Sequence, residues 1–498
     1  MPFDLPSNDR VRRLGAELGM DITTEYAQEF LDFCQVFVPD FRLIERLPDE
    51  KPPVKYPRTP GWRPEPADNP LGAWYVRTDI RGADSGKLAG KRIAVKDNTM
   101  IAGVPMMNGA GVLEGFVPDV DATIITRILD AGGHIVGKSV CEYFSFAGGS
   151  ATSATGPVIS PRNPGHTPGG STTGSAALLA AGEVDLATGA DQAGSVRIPA
   201  SFSGIVGLKP TFGLVPYTGM MGLDYSIDHA GPMARNVAGV ALLLEVMAGE
   251  DGIDGRQRNV KVAPYTEALG RDAKGLRIGV VRESFGLPES HPGTDQAVRA
   301  ALPVLQQLGA IVEEVSIPWH RHGMALWGAL ANEGTCRSLY SGTGVGHHGI
   351  GAYPLGLGAM LTGLRERANE LPHTIKAGML LGHYLATDHH GRFYAKAQNL
   401  RRRLCREYDE RLAHCDLLLL PTLPFPTLPI PPDGASLAEV LTHSWTMLAN
   451  TSPFNLTGHP AISVPCGETD GKPVGLMLIG RHFDEMTVLR AAGAYERQ

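Results

Sequence analysis

The chain is short of the features that would mark a secreted, membrane-bound or nucleic-acid-binding protein. It has 6 cysteines in 498 residues, at positions 34, 141, 336, 405, 415 and 466. Their spacings resemble neither a zinc site nor a disulfide framework, so they read as reduced packing residues. No apolar run approaches the length of a membrane span; a long one, Leu417 to Leu420, is far too short. There is no basic arm and no block of like charge. With 45 basic against 52 acidic residues the net charge is −7, which argues against nucleic acid or an anionic membrane as a main partner. The first residues, MPFDLPSNDRVRRLGAELG, lack the apolar core of a signal peptide. A cytoplasmic protein is the expectation.

What is abundant is apolar and small. Hydrophobic residues make up 43% of the chain, enough for a large core, and 61 glycines and 38 prolines imply many tight turns. Phe30, Phe33, Cys34 and Phe37 recur at helical spacing. Prolines then crowd the stretch from Pro48 to Pro70, which can be neither helix nor central strand and reads as an extended connector. A helical segment of this kind covers apolar surface or builds a dimer contact, and a homodimer is expected. The remainder alternates strand-like runs (RIAV, HIVGKS, LRIGVV, DLLLLP, AISVP, VGLMLIG) with helical ones (ATIITRILDAGG, TDQAVRAALPVLQQLGA, DEMTVLRAAGAYERQ). That pattern predicts an α/β fold, a large mixed sheet flanked by helices. Residues 1–75 form the helical segment and connector, and 76–498 the main domain.

The chemistry concentrates between Gly169 and Ser195. Two serines, Ser171 and Ser195, sit among small residues that let a ligand approach the backbone. Ser175 to Ala181 reads as a helix, whose N-terminal end directs N–H groups at the preceding loop. Ser195 follows the strand-like VDLATGA, on a tight turn where the N–H groups of Gln192, Ala193, Gly194 and Ser195 can form an oxyanion hole. Serine needs a base beside it to act as a nucleophile. No histidine lies between Gly169 and Ser195, but Lys96, in RIAVKDN, can serve if its amine is held neutral. Gly/Ser-rich segments are also ordinary loops, and a strand-end lysine is usually solvated or ion-paired. The residues alone leave both readings open.

The combination of GGSTTGSAA, GADQAGSVRIPASFSGIVGLKPTFG, IAVKDN upstream and ANTSPFNLTGHPAISVP with GKPVGLMLIGRHFDE downstream closely resembles the amidase signature family of serine hydrolases. The resemblance covers residues 76–498. AGVPMMNGA, GLVPYTGM and the N-terminal helical segment are most similar to bacterial amidases of nitrile and amide breakdown. It implies that Ser195 is the acylated nucleophile, Ser171 a middle serine after a non-proline cis peptide, and Lys96 the base. It also implies hydrolysis of a small-molecule amide with no metal and no cofactor. Carbamate (urethane), anilide or ester hydrolysis could use the same triad, and a transamidase subunit is a further alternative. Gly170, Gln192, Ala193 and Gly194 are expected to line the substrate site. Phe146 fits either a wall of the acyl pocket or an ordinary core aromatic. Thr172, Thr173, Ala193, Met106 and Met107 depart from the family's usual residues, which bears on substrate size. Met106, Met107 and Phe146 favour an aromatic or alkyl acyl group. Asp191 and Arg197 are expected to hold the nucleophile loop.

Rival motifs are weaker. Gly132 to Ser139, GGHIVGKS, fits a phosphate loop, but a helix precedes it and β-prone residues fall inside it. Gly344 to Gly349 fits a dinucleotide fingerprint without a preceding strand. His347, His348, His383, His389 and His390 lack the spacing of a metal site and read as surface or loop residues.

Overall fold

A computed structural model describes residues 3–340, 342, 344 and 350–498. His347, His348 and most of the 344–349 glycine motif lie outside the described residues. The chain divides into two compact units, Met1–Pro52 and Pro53–Gln498.

The first unit holds three helices, Asn8–Glu17, Thr24–Cys34 and Val38–Arg46. Ser7 and Thr23 cap the first two, each accepting a backbone N–H three residues on. Its core is small: Val11, Ala27 and Leu31, with Leu5 and Ile22 against them. Phe30, Phe33 and Phe37, whose spacing predicts the helix, are exposed instead. So few residues enclose too little volume to bury every aromatic.

The second unit is built on one 11-stranded sheet. In chain order its strands are β1 (Trp74–Arg81), β2 (Arg92–Lys96), β3 (His134–Ser139), β4 (Leu186–Asp191), β5 (Val206–Lys209) and β6 (His229–Ala234). They continue with β7 (Arg277–Val281), β8 (Ile311–Val315), β9 (Leu417–Pro421), β10 (Ala461–Thr469) and β11 (Lys472–Ile479). The spatial order is β1-β3-β2-β4-β6-β5-β10-β11-β9-β7-β8. β3, β2 and β4 run parallel, as do β9, β7 and β8, while the pairs between these groups are antiparallel. β4 and β9 are buried along their whole length, as strands covered on both faces must be. β8, at one edge, is mostly exposed. The sheet is mixed and flanked by helices, as the alternation of strand-like and helical runs predicts.

Among the coverings, helix Thr123–Asp130 buries Ile124, Ile125, Ile128 and Leu129 and joins β2 to its parallel neighbour β3. The proline-rich stretch is divided between the units at Pro52/Pro53; in its second-unit part Trp62 exchanges backbone hydrogen bonds of 3.0 and 2.8 Å with Arg77 of β1. The supposed phosphate loop is strand β3 itself, and its Lys138 is buried against Asp97 at 2.9 Å. No phosphate can reach that amine.

Candidate active site

Parallel pairing of β2 with β4 brings their C-terminal ends to the same edge of the sheet. Open α/β sheets bind ligands there, beyond the carboxyl ends of strands. Lys96 ends β2 and Asp191 ends β4. Two loops close over these ends. One leads through the cis Gly170–Ser171 peptide into helix Thr173–Ala180; the other carries residues 192–196 into helix Arg197–Ser203.

Lys96 is fully buried. Its Nζ donates to Ser171 Oγ at 2.7 Å and to the Ala190 carbonyl at 3.3 Å. Among the described residues no carboxylate forms an ion pair with it. Burial pulls the amine down to about 8, against the pull of the more distant Cys141, Asp191, Glu142 and Asp228. The adjacent Asp97, which the sequence requires to point elsewhere, does so: it faces Lys138 and accepts from the Met107 N–H at 3.0 Å.

Residues 192–195 have an unusual division of polar groups. Their N–H groups have no acceptor among the described residues, while the carbonyls of their peptide units are all tied down. Asn455 Nδ2 holds the Asp191 carbonyl at 2.8 Å, and the Trp327 indole holds that of Gln192 at 2.7 Å. The Thr451 hydroxyl holds the Ala193 carbonyl, and the Ile198 N–H holds that of Gly194 at 2.6 Å. In a trans peptide the N–H points opposite to the carbonyl. Anchoring each carbonyl from behind therefore turns the N–H groups of 192–195 away from the anchors. Gly194 has φ 139°, and an added Cβ would collide with Thr451, so only glycine fits.

Beneath the loop, Arg197 donates to Asp191 through Nε (3.0 Å) and Nη2 (2.9 Å), and to Asn455 Oδ1 and the Thr451 carbonyl. Burial would raise the Asp191 carboxyl, but Arg197 and Asn455 outweigh it and hold the group below the ordinary carboxylate range. The pair fixes the loop, as expected.

Ser195 opens onto a recess of about 280 Å³ lined also by Phe146, Gln192, Ala193, Trp327 and Trp445. Phe146 meets Trp445 edge to face at 5.7 Å. Gly194 and Gly170 are not part of this wall. Gly170 donates its N–H to the Gly148 carbonyl at 2.7 Å, and an added Cβ would collide with the Gly149 carbonyl. Its role is to let two backbones pass closely. Met106 and Met107 are buried core residues that do not line the recess, so, contrary to expectation, they do not shape the acyl group's surroundings there. Trp327, Trp445 and Leu448 supply that apolar wall instead. A larger hollow of about 550 Å³, walled by Asp224, Asp228, Asp254 and Arg256, contains neither Ser195 nor Lys96.

Sequence reasoning gave no role to Trp327, Thr451 or Asn455. The last two lie within the ANTSPFNLTGHPAISVP motif, which marks their importance without assigning contacts. Trp327 sits in an ordinary buried helix, Gly323–Thr335, and carries no local signal.

The chain belongs to the amidase family, whose profile matches residues 73–489. It is 42% identical to an enantioselective amidase of Rhodococcus rhodochrous over 497 residues, 98% of this chain and 95% of the relative. It is 40% identical to a glutamyl-tRNA(Gln) amidotransferase subunit of Methanosarcina acetivorans over 84% of this chain and 87% of that relative. Among solved structures, a peptide amidase in complex with chymostatin matches with a TM-score of 0.69 at 28% identity, over 86% of this chain and 89% of its own.

Proposed function

We propose that this amidase-family enzyme hydrolyses a small-molecule amide through a seryl acyl-enzyme, with Ser195 as nucleophile, Ser171 as relay and Lys96 as base. The observation that carries the reading is the buried 2.7 Å contact between the Lys96 amine and the Ser171 hydroxyl, with no carboxylate ion-paired to that amine among the described residues. Ser195 Oγ attacks the carbonyl carbon while its proton passes through Ser171 to neutral Lys96. The N–H groups of residues 192–195, free of other acceptors, stabilise the oxyanion. As the C–N bond breaks, the proton returns by the same route to the departing amine. Water then enters and attacks the acyl carbon as its proton passes to the relay; the bond to Ser195 Oγ breaks, the proton returns to that oxygen, and the acid leaves.

The recess around Ser195 is walled by Phe146, Trp327, Trp445, Leu223 and Leu448, which supports an aromatic or alkyl acyl group. The enantioselective amidase aligns over 98% of the chain and the amidotransferase subunit over 84%, which favours a free-standing hydrolase over a transamidase subunit. A homodimer belongs to the same reading, supported by the exposed Phe30, Phe33 and Phe37 of the first unit; light scattering tests it.

Ser195→Ala is expected to abolish turnover and covalent labelling by a serine-reactive phosphonate, read by intact-protein mass. Retained turnover in that variant ends the proposal. Matched amide, ester and carbamate substrates of one acyl group then rank the leaving groups.

A further inference from the structure

Outside the active site, three ligand-type side chains meet where helix Arg392–Leu412 passes the two segments flanking the β10–β11 hairpin. The ligand atoms of Cys405, His459 and His482 lie within 4.8 Å of one another. Asp409 stands four residues after Cys405 on that helix, and so on the same face. It reaches all three: Oδ2 is 3.4 Å from Cys405 Sγ, and Oδ1 is 3.1 Å from His459 Nε2 and 3.8 Å from His482 Nδ1. We propose that Cys405, Asp409, His459 and His482 form a structural site for a divalent transition metal, zinc by the chemistry of its donors.

Distances come first. Tetrahedral bonds of about 2.0–2.3 Å place ligand atoms about 3.3–3.8 Å apart; here the Cys405, His459 and His482 atoms lie within 4.8 Å of one another and the two Asp409 oxygens 3.1–3.8 Å from them, so small side-chain shifts close the site. One sulfur, two imidazoles and one carboxylate suit zinc or cobalt, whereas magnesium and calcium take oxygen.

The rings are also held as ligands are held. Thr457 serves both: its carbonyl accepts from His482 Nε2 at 2.9 Å, and its hydroxyl lies 3.0 Å from His459 Nδ1. Fixing the far nitrogen of each ring leaves His482 Nδ1 and His459 Nε2 directed at the Asp409 carboxylate. Such outer partners set the tautomer of metal-bound histidines. The side chains of Asp409 and His482 are 50% and 34% exposed, which leaves an entry path.

The protons balance simply. Binding forms bonds to Sγ, Nε2 of His459, Nδ1 of His482 and a carboxylate oxygen. The Cys405 thiol proton is released to solvent. The His459 proton shifts from Nε2 to Nδ1, where it donates to the Thr457 hydroxyl. An ion here would tie the long helix to the segment just after Asn455, the residue that anchors the Asp191 carbonyl. Cysteine and histidine spacing missed the cluster because its members come from three separate segments.

Untagged full-length protein titrated anaerobically with cobalt(II) tests the site. One equivalent per chain is expected, with a thiolate-to-cobalt charge-transfer band and the visible bands of a tetrahedral ion, all lost on adding one equivalent of zinc. Cys405→Ser should remove the charge-transfer band, and His482→Ala should weaken binding by about 10–100-fold or more. His414→Ala, an exposed histidine outside the cluster, should change neither. Circular dichroism checks that each variant folds. No cobalt uptake, cobalt uptake without the charge-transfer band, or equal uptake by the Cys405→Ser/His482→Ala double variant overturns the proposal.

Discussion

Lys96 and Lys138 lie on neighbouring strands, β2 and β3, and both are fully buried. Burial pulls both amines below their ordinary value. Their surroundings then diverge. Lys138 meets the Asp97 carboxylate at 2.9 Å, while Lys96, among the described residues, meets a hydroxyl and a carbonyl oxygen and no carboxylate. A buried ion pair keeps its charge by mutual attraction, whereas a buried amine facing neutral oxygens gives its proton up more readily. Equal burial therefore yields a structural cation in one place and a candidate base in the other, and the partner makes the difference.

Substitutions at the two lysines should separate along that line. Lys96→Met is expected to lower kcat/KM by about 10³-fold or more, with a Tm equal to or above that of the parent, because it removes a buried amine with no ionic partner. Lys138→Met leaves Asp97 buried without its cation and should cost about 3–5 kcal/mol in a denaturant titration. Adding Asp97→Asn to it should recover part of that loss. If Lys96→Met unfolds the protein as badly as Lys138→Met, the contrast between the two sites fails.

Two smaller effects would sharpen it. A base must be neutral to accept a proton, and burial places the Lys96 amine at about 8. The kcat/KM profile should therefore rise with pH through an acid limb near 8 and level off above it. A limb near the ordinary lysine value would mean that the amine stays charged. Glu142 is fully buried and its charge favours protonated Lys96. Burial pushes this carboxyl up to about 7, so it is mostly ionised where Lys96 titrates. Glu142→Gln should move the acid limb to lower pH by a fraction of a unit, measured on the same substrate.

Much of the second unit was legible. RIAV, HIVGKS, LRIGVV, DLLLLP, AISVP and VGLMLIG all fall on strands, three of them overrunning the strand by one residue, because continuous apolar runs bounded by turns have few other places to go. Ser175 to Ala181 overlaps helix Thr173–Ala180 for the same kind of reason. Legibility failed where a residue's role depends on a distant partner. Met106 and Met107 read as pocket residues from their position after the lysine motif, yet they pack in the core. Trp327 read as nothing, yet its indole orients the Gln192 peptide. Phe30 and Phe33 marked the helix Thr24–Cys34, and Phe37 the 3-10 turn that follows it, but not which faces would be covered.

The order of residues alone determined the strands and helices, the two small-residue loops and a lysine set among apolar neighbours just upstream of them. Those are local matters of backbone freedom and hydrophobic period. Only the folded chain decided which lysine would have a carboxylate, which carbonyls would be pinned from behind, and that Cys405, His459 and His482 would meet. Each of those depends on side chains far apart in the chain arriving within a few ångströms, and no local pattern encodes that distance.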